Sequence, residues 1–483
     1  MARGTITAVT DTLTKDDEPS GKRPDDREHL ALAIAWARDP TLVGKVIVLA
    51  SSRRVLVGRG DARGDDPAPR VFPLRQRPGK NEDRGPIESP FLSRVQLALT
   101  AADDEIDVEK LGRRDLIDAR GHVAARLAVR PGDVFEVDGE LVFVCVRRPE
   151  RMRRPTPEPK LHPFGNADGL GLVGESPLAW TLREQLAFVA GRSAHVLVLG
   201  PSGSGKEVAA QAIHALSSRR GKRLVSRNAA TFPTSLIEAE LFGNVANYPN
   251  QGMPERPGLV GDADGGTLFL DEIGELPEVQ TRLLRLLDAG GEYQRLGDAR
   301  PRKADLRFIG ATNRPIEALR ADLGARLKLR LTLPGLNERR EDIPLLAQHL
   351  LRRIAAGDGA IGQRFFDGWD GRAGTPRLEP DLVRQLVSHD YTTNVRELEG
   401  LLWHSLASSP GDTLELTDQL VGHVRATEPK VEAAEVTKEQ VREALARTNG
   451  VRERAWRELG LANRYVLKRL IKKYGLEHIE DLG

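Results

Sequence analysis

The sequence predicts a multidomain chain: an all-β sandwich, then an α/β unit with a helical lid, then a small all-α unit. Three observations carry this prediction. Short β-branched runs punctuated by turn residues fill 45–148. From residue 170 short apolar strands alternate with helical patterns, beginning with a Gly-rich turn that joins one strand to one helix, as in a doubly wound parallel sheet. After Pro334 the pattern is largely helical to about 425, and a last helical segment covers 436–475.

Composition sets the limits. A length of 483 residues accommodates two to four domains, and 40% apolar residues suffice for packed cores. Seventy-two Lys and Arg against 70 Asp and Glu leave a net charge of +2. The chain as a whole is therefore no general polyanion binder, and charge has to be weighed segment by segment. Cys145 is the single cysteine, which excludes a disulfide framework or a cysteine metal site and fits a reducing, cytoplasmic setting. No apolar run reaches membrane-spanning length, so no membrane partner is expected, and residues 1–24 are too polar for a signal peptide.

In chain order, 1–44 reads as a polar leader ending in a short helix over 27–38. Residues 45–50 and 53–57 read as a hairpin around Ser51-Ser52, and 60–90 as a long loop rich in Gly, Pro, Asp and Arg. Further strands are expected at 94–100, 105–109, 134–137 and 141–146. The proline-rich, basic stretch 149–170 reads as a semi-rigid linker. The α/β unit then spans 171–340 and the helical lid 341–425, interrupted by a Gly-rich loop at 357–376. A polar linker, 426–435, precedes the terminal helices.

The strongest chemical signal is Gly200-Pro201-Ser202-Gly203-Ser204-Gly205-Lys206-Glu207, between a strand and a helix. Backbone N–H groups of such a loop and the helix N-terminus wrap phosphate oxygens, and Lys206 would neutralise terminal phosphates. The hydroxyl residue that usually follows the lysine to serve Mg²⁺ is replaced by Glu207. A second apolar strand ends in Asp271-Glu272. Asp271 would hold Mg²⁺, mostly through water, and Glu272 would polarise an attacking water. Alone, a strand ending in two acids is commonly structural; beside a phosphate loop at this spacing it points to ATP hydrolysis.

Residues 171–425 resemble the AAA+ domain of bacterial enhancer-binding proteins, the sigma-54-dependent activators. The matching runs are Val173-Gly-Glu-Ser176, the phosphate loop ending in Lys-Glu, Glu240-Leu-Phe-Gly243 and the long run from Asp264 to Pro277. Ala311-Thr-Asn313, Asn337-Glu-Arg-Arg-Glu-Asp-Ile-Pro344 and Asn394-Val-Arg-Glu-Leu398 complete the set in order. In this family Glu commonly follows the loop lysine. The resemblance implies that Asn228 restrains the catalytic Glu and that Asn313 is the sensor of the γ-phosphate. It makes Arg320 and Arg326 the paired arginine fingers, acting on a neighbouring subunit's ATP in a ring of six or seven, and Arg396 the second sensor, on the lid. A lone arginine would more simply be a solvated charge; order and spacing favour the fingers.

One family feature is altered. The GAFTGA loop that grips sigma-54 aligns with Asn247-Tyr-Pro-Asn-Gln-Gly252, which lacks the contacting Phe and Thr and carries the stiffening Pro249. Engagement of sigma-54 RNA polymerase is therefore an open question in the sequence.

Residues 437–475 resemble a Fis-type helix-turn-helix. Arg464, Tyr465, Lys468, Arg469, Lys472 and Lys473 fall on its third helix, placed to meet double-stranded DNA. The alternative is a charged bundle used for dimerisation. Residues 45–148 resemble a forkhead-associated (FHA) domain. There Arg59, Ser93 and Arg94 would bind phosphothreonine on a partner protein, although Gln96 stands where the family has His and Arg114-Asp-Leu116 where it has Asn-Gly. A structural or dimerising sandwich is the alternative. Together these readings describe an ATP-hydrolysing, DNA-binding transcription regulator. Two other readings stay open: a repressor that binds nucleotide without remodelling, and a remodelling ATPase with no role in transcription.

Overall fold

The computed structural model describes residues 27–60, 67–82, 85–155, 162–233, 236–275, 277–288, 290–427, 437–447 and six isolated positions from 459 to 476. The N-terminal unit comprises β1 (Glu28–Ala37), β2 (Val46–Val48), β3 (Val55–Val57), β4 (Arg75–Arg77), β5 (Lys80–Glu82) and β6 (Leu97–Ala101). It continues through β7 (Ile106–Lys110), β8 (Leu116–Asp118), β9 (Val123–Ala124), β10 (Arg126–Val129), β11 (Val134–Val137) and β12 (Leu141–Pro149). One sheet runs β2-β1-β12-β11-β8-β9 and the other β10-β7-β6-β3. Leu32, Ile34, Leu97, Leu99, Val108, Phe135 and Phe143 fill the space between them.

Three expectations differ from the structure here. The helix expected at 27–38 is strand β1, paired along its length with β12 and at its centre with β2. Its run Leu-Ala-Leu-Ala-Ile-Ala lacks the alternation of a half-buried strand because both faces are covered. Leu30, Leu32 and Ile34 face the sandwich interior, while Ala33 and Ala35 face the helical lid. The hairpin expected across Ser51-Ser52 is also absent, because β2 and β3 belong to different sheets and the turn carries the chain between layers. The loop expected over 60–90 holds the short hairpin β4-β5.

The stretch read as a linker is anchored where it is described. Met152 is buried, and Arg77 donates both to the His162 carbonyl (2.7 Å) and to the Glu175 carboxylate. Charged and polar side chains here close an interface instead of standing in solvent.

The α/β unit follows: α1 (Pro177–Ala190), β13 (Val196–Leu199), α2 (Lys206–Leu216), β14 (Leu224–Asn228), α3 (Ile237–Phe242), α4 (Gly258–Asp262) and β15 (Thr267–Asp271). Then come α5 (Pro277–Leu287), the hairpin β16 (Glu292–Tyr293) and β17 (Arg302–Lys303), β18 (Arg307–Thr312), α6 (Ala321–Arg326) and β19 (Leu329–Thr332). The parallel sheet runs β14-β15-β18-β13-β19, so the phosphate loop and the Asp271-Glu272 pair leave the same edge. Helix α1 starts where Ser176 Oγ accepts the Ala179 N–H at 3.0 Å and Pro177 supplies a preset φ; such a cap contributes about 1 kcal/mol.

The lid consists of α7 (Ile343–Gly357), α8 (Gly359–Phe365), a hairpin of β20 (Phe366–Asp367) and β21 (Thr375–Pro376), α9 (Pro380–Ser388), α10 (Asn394–Ser408) and α11 (Asp418–Thr427). The Gly-rich loop expected at 357–376 thus contains a helix and the small hairpin. The outer face of the sandwich shares one apolar cluster with the lid, in which Ala33, Val134, Val142 and Val144 meet Leu346, Leu350, Leu382 and Leu386. Trp36 Nε1 donates to the Leu378 carbonyl at 2.7 Å, and the buried Arg384–Glu136 pair joins α9 to β11 at 3.0 Å.

Beyond the lid, Val441, Ala444 and Leu445 of α12 (Lys438–Arg447) pack with Leu467, Leu470, Ile471 and Leu476 as a separate cluster. The expected DNA-contacting residues Arg464, Tyr465, Lys468, Arg469, Lys472 and Lys473 lie outside the described residues. Among the described residues no helix is long and apolar enough to cross a membrane.

Candidate nucleotide cleft

Between the sheet edge and the lid lies a cavity of about 440 Å³. The phosphate loop forms one wall. Gly200, Gly203 and Gly205 adopt φ of 156°, 71° and 98°, in or at the edge of the left-handed region that side chains rarely enter. At Gly203 space also decides, because a Cβ there would sit 2.0 Å from the Thr393 carbonyl oxygen of the lid. The Lys206 ammonium is buried; it donates to the Gly200 and Pro201 carbonyls at 3.2 and 3.3 Å and stands 3.8 Å from the Glu272 carboxylate. Ser204 Oγ is buried with no hydrogen-bond partner. A buried polar atom left unpaired costs roughly 1–3 kcal/mol unless something completes it.

Asp271 and Glu272 open onto the same cavity from the end of β15. Asp271 Oδ1 accepts the Glu272 N–H at 2.9 Å, and Glu272 adopts φ 54°. A non-glycine residue there stores about 1–3 kcal/mol of strain. Asn228 ends the neighbouring strand in register with Asp271 and lines the cavity; its side-chain oxygen accepts the Ala230 N–H at 2.9 Å. Asn313 sits beyond β18 and donates its backbone N–H to Glu272 Oε2 at 3.4 Å.

The lid closes the other side. Arg396 Nη1 donates to Ser202 Oγ at 3.2 Å, Asn394 Nδ2 to the Ser202 carbonyl at 2.9 Å, and the Val395 N–H to the Gly203 carbonyl at 3.1 Å. Pro201, Ser202 and Glu207 complete the loop, with Glu207 Oε1 accepting from Gln211 at 3.4 Å. Arg320 and Arg326 lie elsewhere, at the two ends of α6 and off the cavity lining. Arg326 forms a two-point pair with Asp288 (2.6 and 3.3 Å), and the Arg320 N–H donates to Gln280.

The structure adds lining residues to which the sequence reading gave no role: Leu172, Val173, Arg339, His349, Arg353 and Glu399. Leu172, Val173, Ala179, Leu182, Leu346 and Leu350 make one end apolar, suited to a flat base, while the loop end is polar. Arg183 fixes the apolar strip by donating to Asp168, the Leu172 carbonyl and the Gly174 carbonyl at 2.8–3.0 Å. Val173 and Arg339 belong to runs quoted above for their resemblance, so the signal was present without a role attached.

A second cluster lies on the sandwich loops. The Arg59 N–H donates to the Ser93 carbonyl, and Ser93 Oγ accepts the Arg113 N–H, both at 2.9 Å. Buried Gln96 staples the surrounding loops, donating to the Arg114 carbonyl at 2.8 Å while its backbone carbonyl accepts from Leu111 and Gly112. Arg59, Ser93 and Arg94 are thus neighbours on one partly exposed surface.

The loop aligned with GAFTGA is folded against the β16-β17 hairpin. Asn247 closes it through Met253 and Gly252 at 2.8 Å each, and Gly297 leaves room for the Tyr248 ring, which a Cβ would meet at 2.6 Å.

Residues 172–333 match the sigma-54 interaction domain, and 337–436 the AAA+ ATPase lid domain. The transcriptional regulatory protein ZraR of Salmonella typhimurium is 36% identical, covering 64% of this chain and 70% of its own length. The Nif-specific regulatory protein of Azotobacter vinelandii is 38% identical over 62% of this chain and 58% of its own. The crystal structure of NtrX from Brucella abortus in complex with ATP is 30% identical over 64% of this chain and 70% of that one, with a TM-score of 0.45. The chain belongs to the sigma-54-dependent transcriptional regulators, with an AAA+ ATPase-family domain at its centre.

Proposed function

We propose that the cleft binds and hydrolyses ATP and that this turnover drives a DNA-bound regulator of transcription. The observation that carries the reading is the convergence of Lys206, Asp271, Glu272 and Arg396 on one cavity with an apolar end. Lys206 and the loop N–H groups hold the phosphates, and the apolar end takes the base. Glu272 orients and polarises the attacking water in line with the γ-phosphorus, and Arg396 reports nucleotide state to the lid. Asn228, which lines the same cavity, and Asn313, whose backbone N–H reaches the Glu272 carboxylate, serve as restraint and sensor. The residues fit Mg²⁺: Asp271 would hold it, and the ion would neutralise charge on the phosphate oxygens. Arg320 and Arg326 act on the ATP of a neighbouring subunit, which accounts for their distance from their own cleft and requires a homo-oligomeric ring.

Hydrolysis of ATP by the full chain tests this. Glu272→Gln should lower turnover by about 10²–10⁴-fold while nucleotide still binds, and Lys206→Ala should weaken binding itself. Unchanged turnover in Glu272→Gln would remove the catalytic assignment.

The terminal units supply address and input in this proposal. The C-terminal helices bind double-stranded DNA, and Arg59, Ser93 and Arg94 receive a phosphothreonine protein. Contact with sigma-54 polymerase is tested by trapping the protein with a transition-state analogue of ATP hydrolysis, beside a variant with GAFTGA at 247–252. Binding by the native chain makes its loop a divergent grip; binding by the variant alone means that the partner has changed.

A further inference from the structure

Arg339 occupies the turn between lid and sheet and is 8% exposed. It lines the cleft, and its Nε has no hydrogen-bond partner. Burial pushes its pKa down. A guanidinium offers donors only, so a buried one is completed by an acceptor or anion, and its uncompensated cost is recovered when one arrives.

The same turn reaches two other bodies. Asp342 accepts the Glu175 and Ser176 N–H groups and the Ser176 hydroxyl at 2.8, 3.0 and 2.6 Å, which ties it to the start of the α/β unit. Glu341 reaches the sandwich: its Oε2 accepts from Arg148 Nε and Nη2 of β12 at 2.9 and 2.7 Å. The Arg148 side chain is 2% exposed, and its remaining donor reaches the Glu175 carbonyl at 3.2 Å and Gln76 Oε1 at 3.3 Å. One short turn thus faces the nucleotide cleft with Arg339, the sandwich with Glu341 and the start of α1 with Asp342. The Arg148–Glu341 geometry cannot be lost without leaving a buried carboxylate unpaired, so the turn's position depends on the docked sandwich.

We propose that Arg339 contacts the nucleotide and that Arg148 of the sandwich, through Glu341, is its positioning residue, so that sandwich docking sets nucleotide affinity. This rests on reading the cleft as an ATP site. Acceptor atoms of the nucleotide complete the Arg339 guanidinium, and the ion pair behind it keeps that side chain from relaxing out of the cleft. By reciprocity, whatever loosens the sandwich weakens nucleotide binding, and nucleotide tightens the sandwich.

Titration of the full chain with N-methylanthraniloyl-ADP tests both parts. Arg339→Gln should weaken binding about 10- to 100-fold, as for loss of charge-assisted hydrogen bonds. Arg148→Met should weaken it about 3- to 10-fold and raise KM for ATP by more than it lowers kcat. In the Arg339→Gln background, Arg148→Met should add little, because both act through one contact. An Arg148→Met effect of full size in that background, or Arg339→Gln within twofold of wild type, overturns the proposal. Should Arg148→Met fail to fold, Arg148→Met with Glu341→Met removes both buried charges and faces the same two outcomes. Wild-type chain that binds no better than Lys206→Ala would instead sink the ATP reading.

Discussion

The nucleotide cleft and the sandwich loop surface, the two places proposed to bind phosphate, carry polar groups of similar kind in opposite states. In the cleft, buried polar atoms stand unpaired: Ser204 Oγ and Arg339 Nε have no protein partner. On the sandwich surface the comparable groups are tied into the fold, with Ser93 Oγ accepting from Arg113 and Gln96 stapled to the 111–114 loop. A concave site with unsatisfied donors gains its full hydrogen-bond energy from a small, charged ligand. A surface whose acceptors are already used offers only its outward donors, and binding there requires a ligand that brings strong charge of its own.

This contrast can be broken or sharpened by substitution, with the expected effects on ATP turnover larger than those on the sandwich surface. The largest is expected at Arg326, outside the cleft, where the proposed function puts a neighbouring subunit. Arg326→Ala should abolish turnover, about 10³-fold or more, while nucleotide still binds, since Arg326 lies off its own cavity. Full activity in that variant removes the finger assignment. Next is Gly203→Ala, whose Cβ would strike the Thr393 carbonyl and part the lid from the phosphate loop. Misplacement on that scale should cost about 10²-fold in ATP turnover. On the sandwich, Arg59→Ala should weaken a phosphothreonine peptide about tenfold, read by fluorescence anisotropy. Ser93→Ala removes one hydroxyl donor and should cost about fivefold in the same assay. If both surface variants bind as wild type does, the sandwich is a structural partner of the lid and not a receptor.

The sequence made the chemistry legible because its runs are local. Strand β13, the glycine loop and α2 follow one another without a gap, and Asp271-Glu272 ends a single apolar strand. Positive φ at Gly203 and Gly205 depends on the missing side chain alone, so glycine spacing announced it. Strand β1 resembles a helix in sequence because what covers it erases its periodicity: sandwich on one face, lid on the other. Likewise, a β2-β3 hairpin looked sound from neighbouring β-branched runs, yet strand pairing is a long-range choice.

Local chemistry, then, was determined by the sequence itself: the phosphate loop and the acidic strand end. The tertiary structure decided which distant residues share a boundary. Arg77 and Arg148 look like ordinary surface cations in a basic stretch, but folding buries them against Glu175 and Glu341 at separations of 98 and 193 residues. No window along the chain contains both partners of such a pair, and a buried charge identifies its partner only once the surrounding water has been excluded.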